Sequence, residues 1–108
     1  MSTDAEQAES AVFAALADPT RRALLQTISA HPGATATQLA AQLPITRQAV
    51  VKHLGALSEA GLLARERAGR DVRYAVTPEP LTEAVDWIAS VGGAWDDRLA
   101  ALRRSFSG

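Results

Sequence analysis

The chain has 108 residues, 47% of them hydrophobic and 21% charged, with a formal charge of −1; this is the profile of one ordinary globular domain, not of a disordered or fibrous chain. It contains no cysteine and two histidines, His31 and His53, so disulfides, thiolate metal sites and cysteine redox chemistry are excluded. No apolar run approaches the ~18 residues of a membrane span, and the acidic start Met-Ser-Thr-Asp-Ala-Glu lacks the basic-then-apolar layout of a secretory signal, so a cytoplasmic location with no membrane partner is expected.

In chain order, Val12, Phe13 and Leu16 recur at helical spacing and predict a first helix over roughly residues 6–17. Asp18-Pro19 then reads as an N-cap followed by a first helical residue, because the Asp oxygen can accept orphan N–H bonds and Pro has no N–H to lose there. Leu24, Leu25 and Ile28 carry that second helix to about Ala30, where His31-Pro32-Gly33 breaks it. Arg21 and Arg22 read as a structural pair near its start. Thr35 and Gln38 have the spacing of a capping box for a short helix that Pro44 ends. Thr46 caps the next helix, whose Val50, Leu54 and Leu57 share one face and which Gly61 closes. A short helix, a tight turn and a second amphipathic helix make a helix-turn-helix pattern over residues 35–61.

The period then changes. Residues 63–67 and 71–76 read as two strands joined through Ala68-Gly69-Arg70, with Val72, Tyr74 and Val76 alternating against Arg73 and Ala75. A hairpin directly after a helix-turn-helix makes the composite a winged helix. The fold expected is therefore mainly α with a small β-hairpin, one domain over residues 1–108.

The last segment, residues 80–106, is the most regular. Leu81, Val85, Ile88, Gly92, Trp95, Leu99, Leu102 and Phe106 follow in steps of 4, 3, 4, 3, 4, 3 and 4, a heptad seam. At ~1.5 Å per residue it runs for ~40 Å, longer than a lone small domain can cover. The expected cover is the same helix of a second copy across a two-fold axis; packing within the chain is the competing reading. Gly92-Gly93 suits either a close helix approach or a kink.

The near-zero charge hides a pattern. Residues 1–46 carry four acids and two bases, residues 47–73 carry six bases and three acids, and residues 74–108 carry five acids and three bases. The positive charge is gathered in the middle, where a polyanion would be met. On the helix after Thr46, the face opposite Val50, Leu54 and Leu57 holds Gln48, Lys52, Gly55 and Glu59, flanked by Ala49 and Val51. Major-groove chemistry assigns guanine contact to Arg47 or Lys52, adenine contact to Gln48, a thymine methyl to Val51, and a phosphate or base to Thr46. Thr37 and Gln38 are candidates for phosphate contact, although capping accounts for them without DNA. Arg67, Arg70 and Arg73 of the hairpin are candidates for phosphate or minor-groove contact, with protection of a strand edge as the alternative.

Three stretches together, LADPTRRALL at residues 16–25, TATQLAAQLPITRQAVVKHLGALSEAGLL at 35–63 and RERAGRDVRYAV at 65–76, resemble the ArsR (ArsR/SmtB) family of dimeric winged-helix transcriptional repressors. The resemblance covers nearly the whole chain. It implies double-stranded DNA and a second copy of the chain as partners, with the first and last helices, including Val12 and Phe13, at the dimer interface. It also implies that His53 meets backbone phosphate; a packing histidine is the alternative. Gly55 departs from the basic residue that many relatives carry there. The metal-sensing members hold cysteine sets, or Asp/His sets on the last helix. Here Asp86, Asp96 and Asp97 stand on that helix without cysteine or histidine, so the chain resembles a branch without the usual metal ligands, and no metal or cofactor is expected. An unknown small-molecule or protein effector stays open. There is no Gly-rich phosphate loop and no Ser/His/Asp arrangement, so no enzyme activity is expected. The function expected is a homodimeric, sequence-specific DNA-binding regulator, a repressor occluding a promoter at a pseudo-palindromic operator. The competing reading is a winged-helix protein interaction module without DNA binding.

Overall fold

The computed structural model describes residues 4–107, and the side chains of residues 94–96, 99, 102, 106 and 107 fall outside that description. The elements in chain order are α1 (Asp4–Leu16), α2 (Pro19–Ala30), α3 (Ala36–Ala40), α4 (Arg47–Glu59), β1 (Leu63–Ala68), β2 (Asp71–Val76) and α5 (Pro78–Ser107). The architecture is mainly helical with one small hairpin, a winged helix-turn-helix followed by a long C-terminal helix.

Local chemistry sets the boundaries. Asp18 is extended and its Oδ1 accepts from the backbone N–H groups of Thr20 at 2.8 Å and Arg21 at 3.1 Å, with Pro19 opening α2. The last carbonyls of α1 are met from the next helix. Arg21 donates through Nε to Ala15 O at 2.8 Å and through NH2 to Ala14 O at 3.2 Å, while Arg22 donates to Leu16 O at 2.7 Å. Two guanidinium groups thus supply positive charge where the helix dipole is negative, which fixes the α1–α2 corner. His31 caps the far end of α2, its N–H shared between Thr27 O and Ile28 O.

The capping box forms as the spacing predicts. Thr35 Oγ1 accepts from Gln38 N, and Gln38 Oε1 accepts from Thr35 N. The helix it starts is shorter than expected, ending at Ala40 with turns and bends over residues 41–45. Pro44 disfavours helical geometry at the residue before it, and the turn lets Leu43 and Ile45 fold back against the core.

Among the described residues, Leu24, Ile28, Leu39, Val50, Leu54, Leu57 and Leu62 are the large side chains taken fully out of water. They come from α2, α3, α4 and the residue just before β1. Each such burial contributes about 1.5–3 kcal/mol, and together they clamp the helix-turn-helix onto α2. The hairpin pairs Leu63 with Val76 through Ala68 with Asp71. Its tip is the two residues Gly69 and Arg70, with φ positive only at Gly69 (+64°), the φ pattern of a type II′ turn. A single bridge, Ala34 to Tyr74, ties the sheet to the loop before α3 through Tyr74 N–Ala34 O at 3.0 Å and Gly33 N–Tyr74 O at 2.8 Å.

The helix α5 packs on α1 through Ala84, which is buried, and Trp87, which meets Phe13. The radius of gyration is 17.8 Å and the extents are 61 × 39 × 21 Å, against about 13 Å for a compact chain of this length. The excess reflects a 30-residue helix that outruns the body it leaves. It is helical without interruption through Gly92-Gly93.

Candidate nucleic-acid interface

The outward face of α4 is divided as its periodicity requires. Val50, Leu54 and Leu57 are buried, whereas Arg47, Gln48, Val51, Lys52, Gly55 and Glu59 are exposed. Thr46 holds the N-cap, extended at φ −71° and ψ 158°, with its Oγ1 accepting from Ala49 N at 3.1 Å. This satisfies one of the first-turn N–H groups that have no partner within the helix. Val51 is 44% exposed, a methyl-bearing side chain held in water with no core to fill.

A groove of about 290 Å³ lies between the start of α3, the start of α4 and the wing. Its walls include Thr37, Arg47, Val51, Arg70, Val72 and Tyr74. Three separate elements therefore converge on one surface: α3 supplies Thr37, α4 supplies Arg47 and Val51, and the hairpin tip supplies Arg70. Arg47 is already engaged there, with Nε donating to Thr37 Oγ1 at 3.1 Å. Gln48 and Lys52 continue the exposed face along α4.

The candidates Gln38, His53, Arg67 and Arg73 do not line this groove. Side chains alternate across the hairpin, so Arg67, opposite Val72, and Arg65, opposite Tyr74, share one face, while Arg73, opposite Glu66, is on the other. Arg73 donates to Gly33 O at 3.2 Å, which ties the second strand to the loop before α3. Gln38 commits its side-chain oxygen to the capping box. His53 is half-buried, and a charge there acts on Asp18 at the start of α2. The carboxyl of Asp18 is held below its ordinary 3.8, first by the hydrogen bond from the Arg21 backbone and then by that from Thr20, with smaller help from the charges of Arg21 and His53 against a desolvation penalty.

The sequence candidates for the dimer surface are divided as well. Val12 is 3% exposed and belongs to the core of its own chain, and Phe13 is half-buried against Trp87. Leu81 packs against the core, but Val85 and Ile88 are 61% and 55% exposed, and Gly92 is half-exposed. Trp95, Leu99, Leu102 and Phe106 lie outside the described side chains. Trp87 and Ala84 escaped the heptad reading because they form a neighbouring stripe of the same helix, spaced 84 to 87; a second apolar stripe beside the first is the signal that identifies them.

Among the described residues, no group of three or more His, Asp or Glu is arranged to hold a metal ion, and no helix is long and apolar enough to cross a membrane.

Residues 16–66 match the family model of a helix-turn-helix domain. Over 98 residues the chain is 39% identical to the HTH-type transcriptional regulator CmtR of Mycobacterium tuberculosis, an alignment covering 87% of this chain and 80% of that protein. A solved ArsR-like transcriptional regulator from Rhodococcus sp. RHA1 superposes with a TM-score of 0.73 at 37% identity, covering 91% of this chain and 92% of the other. The chain belongs to the ArsR family of winged-helix, DNA-binding transcriptional regulators. The transcriptional repressor SdpR of Bacillus subtilis is 27% identical over 88 residues, covering 82% of this chain and 97% of SdpR.

Proposed function

We propose that this ArsR-family protein is a cytoplasmic homodimer that binds a pseudo-palindromic operator and represses transcription by occluding a promoter. The observation that carries the reading is the convergence of Arg47 and Val51 of α4 with Arg70 of the wing on one exposed groove. A helix carrying polar and methyl-bearing side chains on its outer face fits the major groove, and a cationic hairpin tip beside it fits the phosphate backbone or the minor groove.

The second copy is argued from α5. Val85, Ile88 and Val91 are exposed along a helix that projects from its own body, and an apolar stripe of this kind is stable in water when another surface covers it. A two-fold pairing along α5 would hold two α4 helices at a fixed separation, with half-sites ~34–36 Å apart on one side of the duplex. The likeness to SdpR, a transcriptional repressor, supports repression over activation.

The test is duplex binding by the purified protein across a salt series, with sedimentation of the same material. Phosphate neutralisation makes affinity fall steeply with salt, so a steep negative slope is expected, together with the mass of two chains. Absence of any duplex complex at low salt would favour a protein-binding role for the same face.

A further inference from the structure

The contact between Thr37 and Arg47 makes a demand on how α4 reads DNA. Both side chains are exposed, they come from different helices, and Arg47 Nε donates to Thr37 Oγ1 at 3.1 Å. An exposed arginine gains little stability for the fold from such a contact, yet the contact decides where its terminal nitrogens point. The guanidinium carries one N–H on Nε and two pairs on its terminal nitrogens in a rigid planar fork. With Nε engaged, the side-on approach is closed and the two terminal nitrogens are left as a pair. That pair matches guanine, the base that presents two acceptors, N7 and O6, side by side in the major groove.

We propose that Thr37 is a positioning residue that holds Arg47 for end-on recognition of one guanine in each half-site. The neighbouring methyl-bearing side chain extends the assignment. Val51 stands one helical turn beyond Arg47 on the same groove wall, ~6 Å along the axis, which spans about two base-pair steps at ~3.4 Å each. The half-site therefore carries a guanine with a thymine methyl within about two base pairs of it. Thr37 keeps its own hydroxyl hydrogen, which is free to donate to a phosphate while the oxygen accepts from Arg47, so backbone docking and guanine reading are coupled through one side chain. This rests on the DNA-binding reading above, and the experiment separates the two.

The test is selection from a randomised duplex pool with the full chain, followed by titration of the selected duplex and of versions with each guanine replaced. Four proteins are compared: the natural chain, Thr37→Val, Thr37→Ser and Arg47→Lys. Thr37→Val keeps the shape and removes both the acceptor for Arg47 and the hydroxyl donor to phosphate, Thr37→Ser restores both, and Arg47→Lys keeps the charge and removes the fork. The expected result is a loss of about tenfold in guanine preference at a single position for Thr37→Val and for Arg47→Lys, within the range a bidentate contact supports. The salt slope stays the same in both, and Thr37→Ser retains the preference. An undiminished guanine preference in Thr37→Val overturns the proposal, as does an equal weakening on all duplexes, which would reduce Thr37 to a phosphate contact. In either case the DNA-binding reading survives. If the natural chain binds no duplex at low salt, that reading fails and the positioning role goes with it.

Discussion

Phe13 and Trp87 meet edge to face, with ring centroids 5.4 Å apart and planes at 65°. Such pairs contribute about 0.5–1.5 kcal/mol beyond their buried area, and this one fixes which side of α5 turns toward α1. At ~100° per residue, Val85 is rotated well away from the side that Ala84 and Trp87 fill, whereas Ile88 stands one turn beyond Ala84 on nearly the same side and is still more than half exposed. The heptad seam thus starts against the core at Leu81 and has left it by Val85 and Ile88.

Ile88→Glu should therefore separate folding from association. Ile88 is more than half exposed within the chain, so a charge there leaves the core intact and helical circular dichroism unchanged. Facing a second copy, the same carboxylate would be buried opposite its symmetry mate, a cost of several kcal/mol for unpaired charge. Sedimentation at micromolar concentration should give single chains for the variant and pairs for the natural protein. A variant that still sediments as a pair would move the association surface off this stripe.

Ser58 is placed with its Oγ buried and without a hydrogen-bond partner. A hydroxyl in that position carries a desolvation penalty with no bond to offset it. Ser58→Ala removes the penalty and raises the helix propensity of α4, so urea unfolding should show equal or greater stability, by up to about 1 kcal/mol. A loss of more than that in the midpoint analysis would mean the hydroxyl is satisfied in solution.

Most of the fold was legible because its signals are local or periodic. Asp18-Pro19, Thr35 with Gln38, and Thr46 each announce a helix start through side-chain chemistry, and each forms the expected cap. The alternation from Val72 to Val76 marks β2, and the register ends at Ala68 and Asp71, one residue beyond the predicted end of the first strand. What stayed hidden is long-range. A single bridge between Ala34 and Tyr74 leaves no period to read. The donation from Arg73 to Gly33 spans forty positions, and nothing adjacent to either residue signals it. The site was legible as a list of exposed polar residues on α4 and the wing, but not as a groove. That Thr37 meets Arg47, while Arg73 is on the far face of the hairpin from Arg67, follows from how α3, α4 and the sheet are docked.

Gln48 and Arg70 should fail differently. Gln48 is exposed on the reading face of α4, and its amide suits the paired donor and acceptor of adenine. Arg70 sits at the hairpin tip and suits phosphate. Gln48→Ala is expected to cost about 1–3 kcal/mol on the preferred operator alone and to flatten the difference between operator variants. Arg70→Ala is expected to weaken all duplexes alike and to reduce the salt slope by about one unit. Titration of both variants against a panel of single-base operator changes checks this. Uniform loss in both would contradict the separate roles.

Asp18 makes the stability of the α1–α2 corner depend on pH in a definite direction. Its carboxylate is held below 3.8, chiefly by the backbone hydrogen bond from Arg21, so the folded state binds this proton less readily than the unfolded state does. A carboxyl of this kind stabilises the fold above its unfolded value and ceases to do so as pH falls through the folded one. The contribution is therefore constant across neutral pH, begins to fall below about 3.8 and is lost only as pH passes through the lower folded value. Asp18→Ala should melt at a lower temperature than the natural chain at pH 7, and the gap should narrow at pH 3. Asp18→Asn, a capping residue without charge, should lie between them at pH 7 and keep its advantage over Asp18→Ala at pH 3. Thermal melts of the three proteins at the two pH values check each step. A gap between the natural chain and Asp18→Ala that persists undiminished at pH 3 would mean that the neutral carboxyl caps as well as the charged one, and that the depressed titration contributes nothing to the fold.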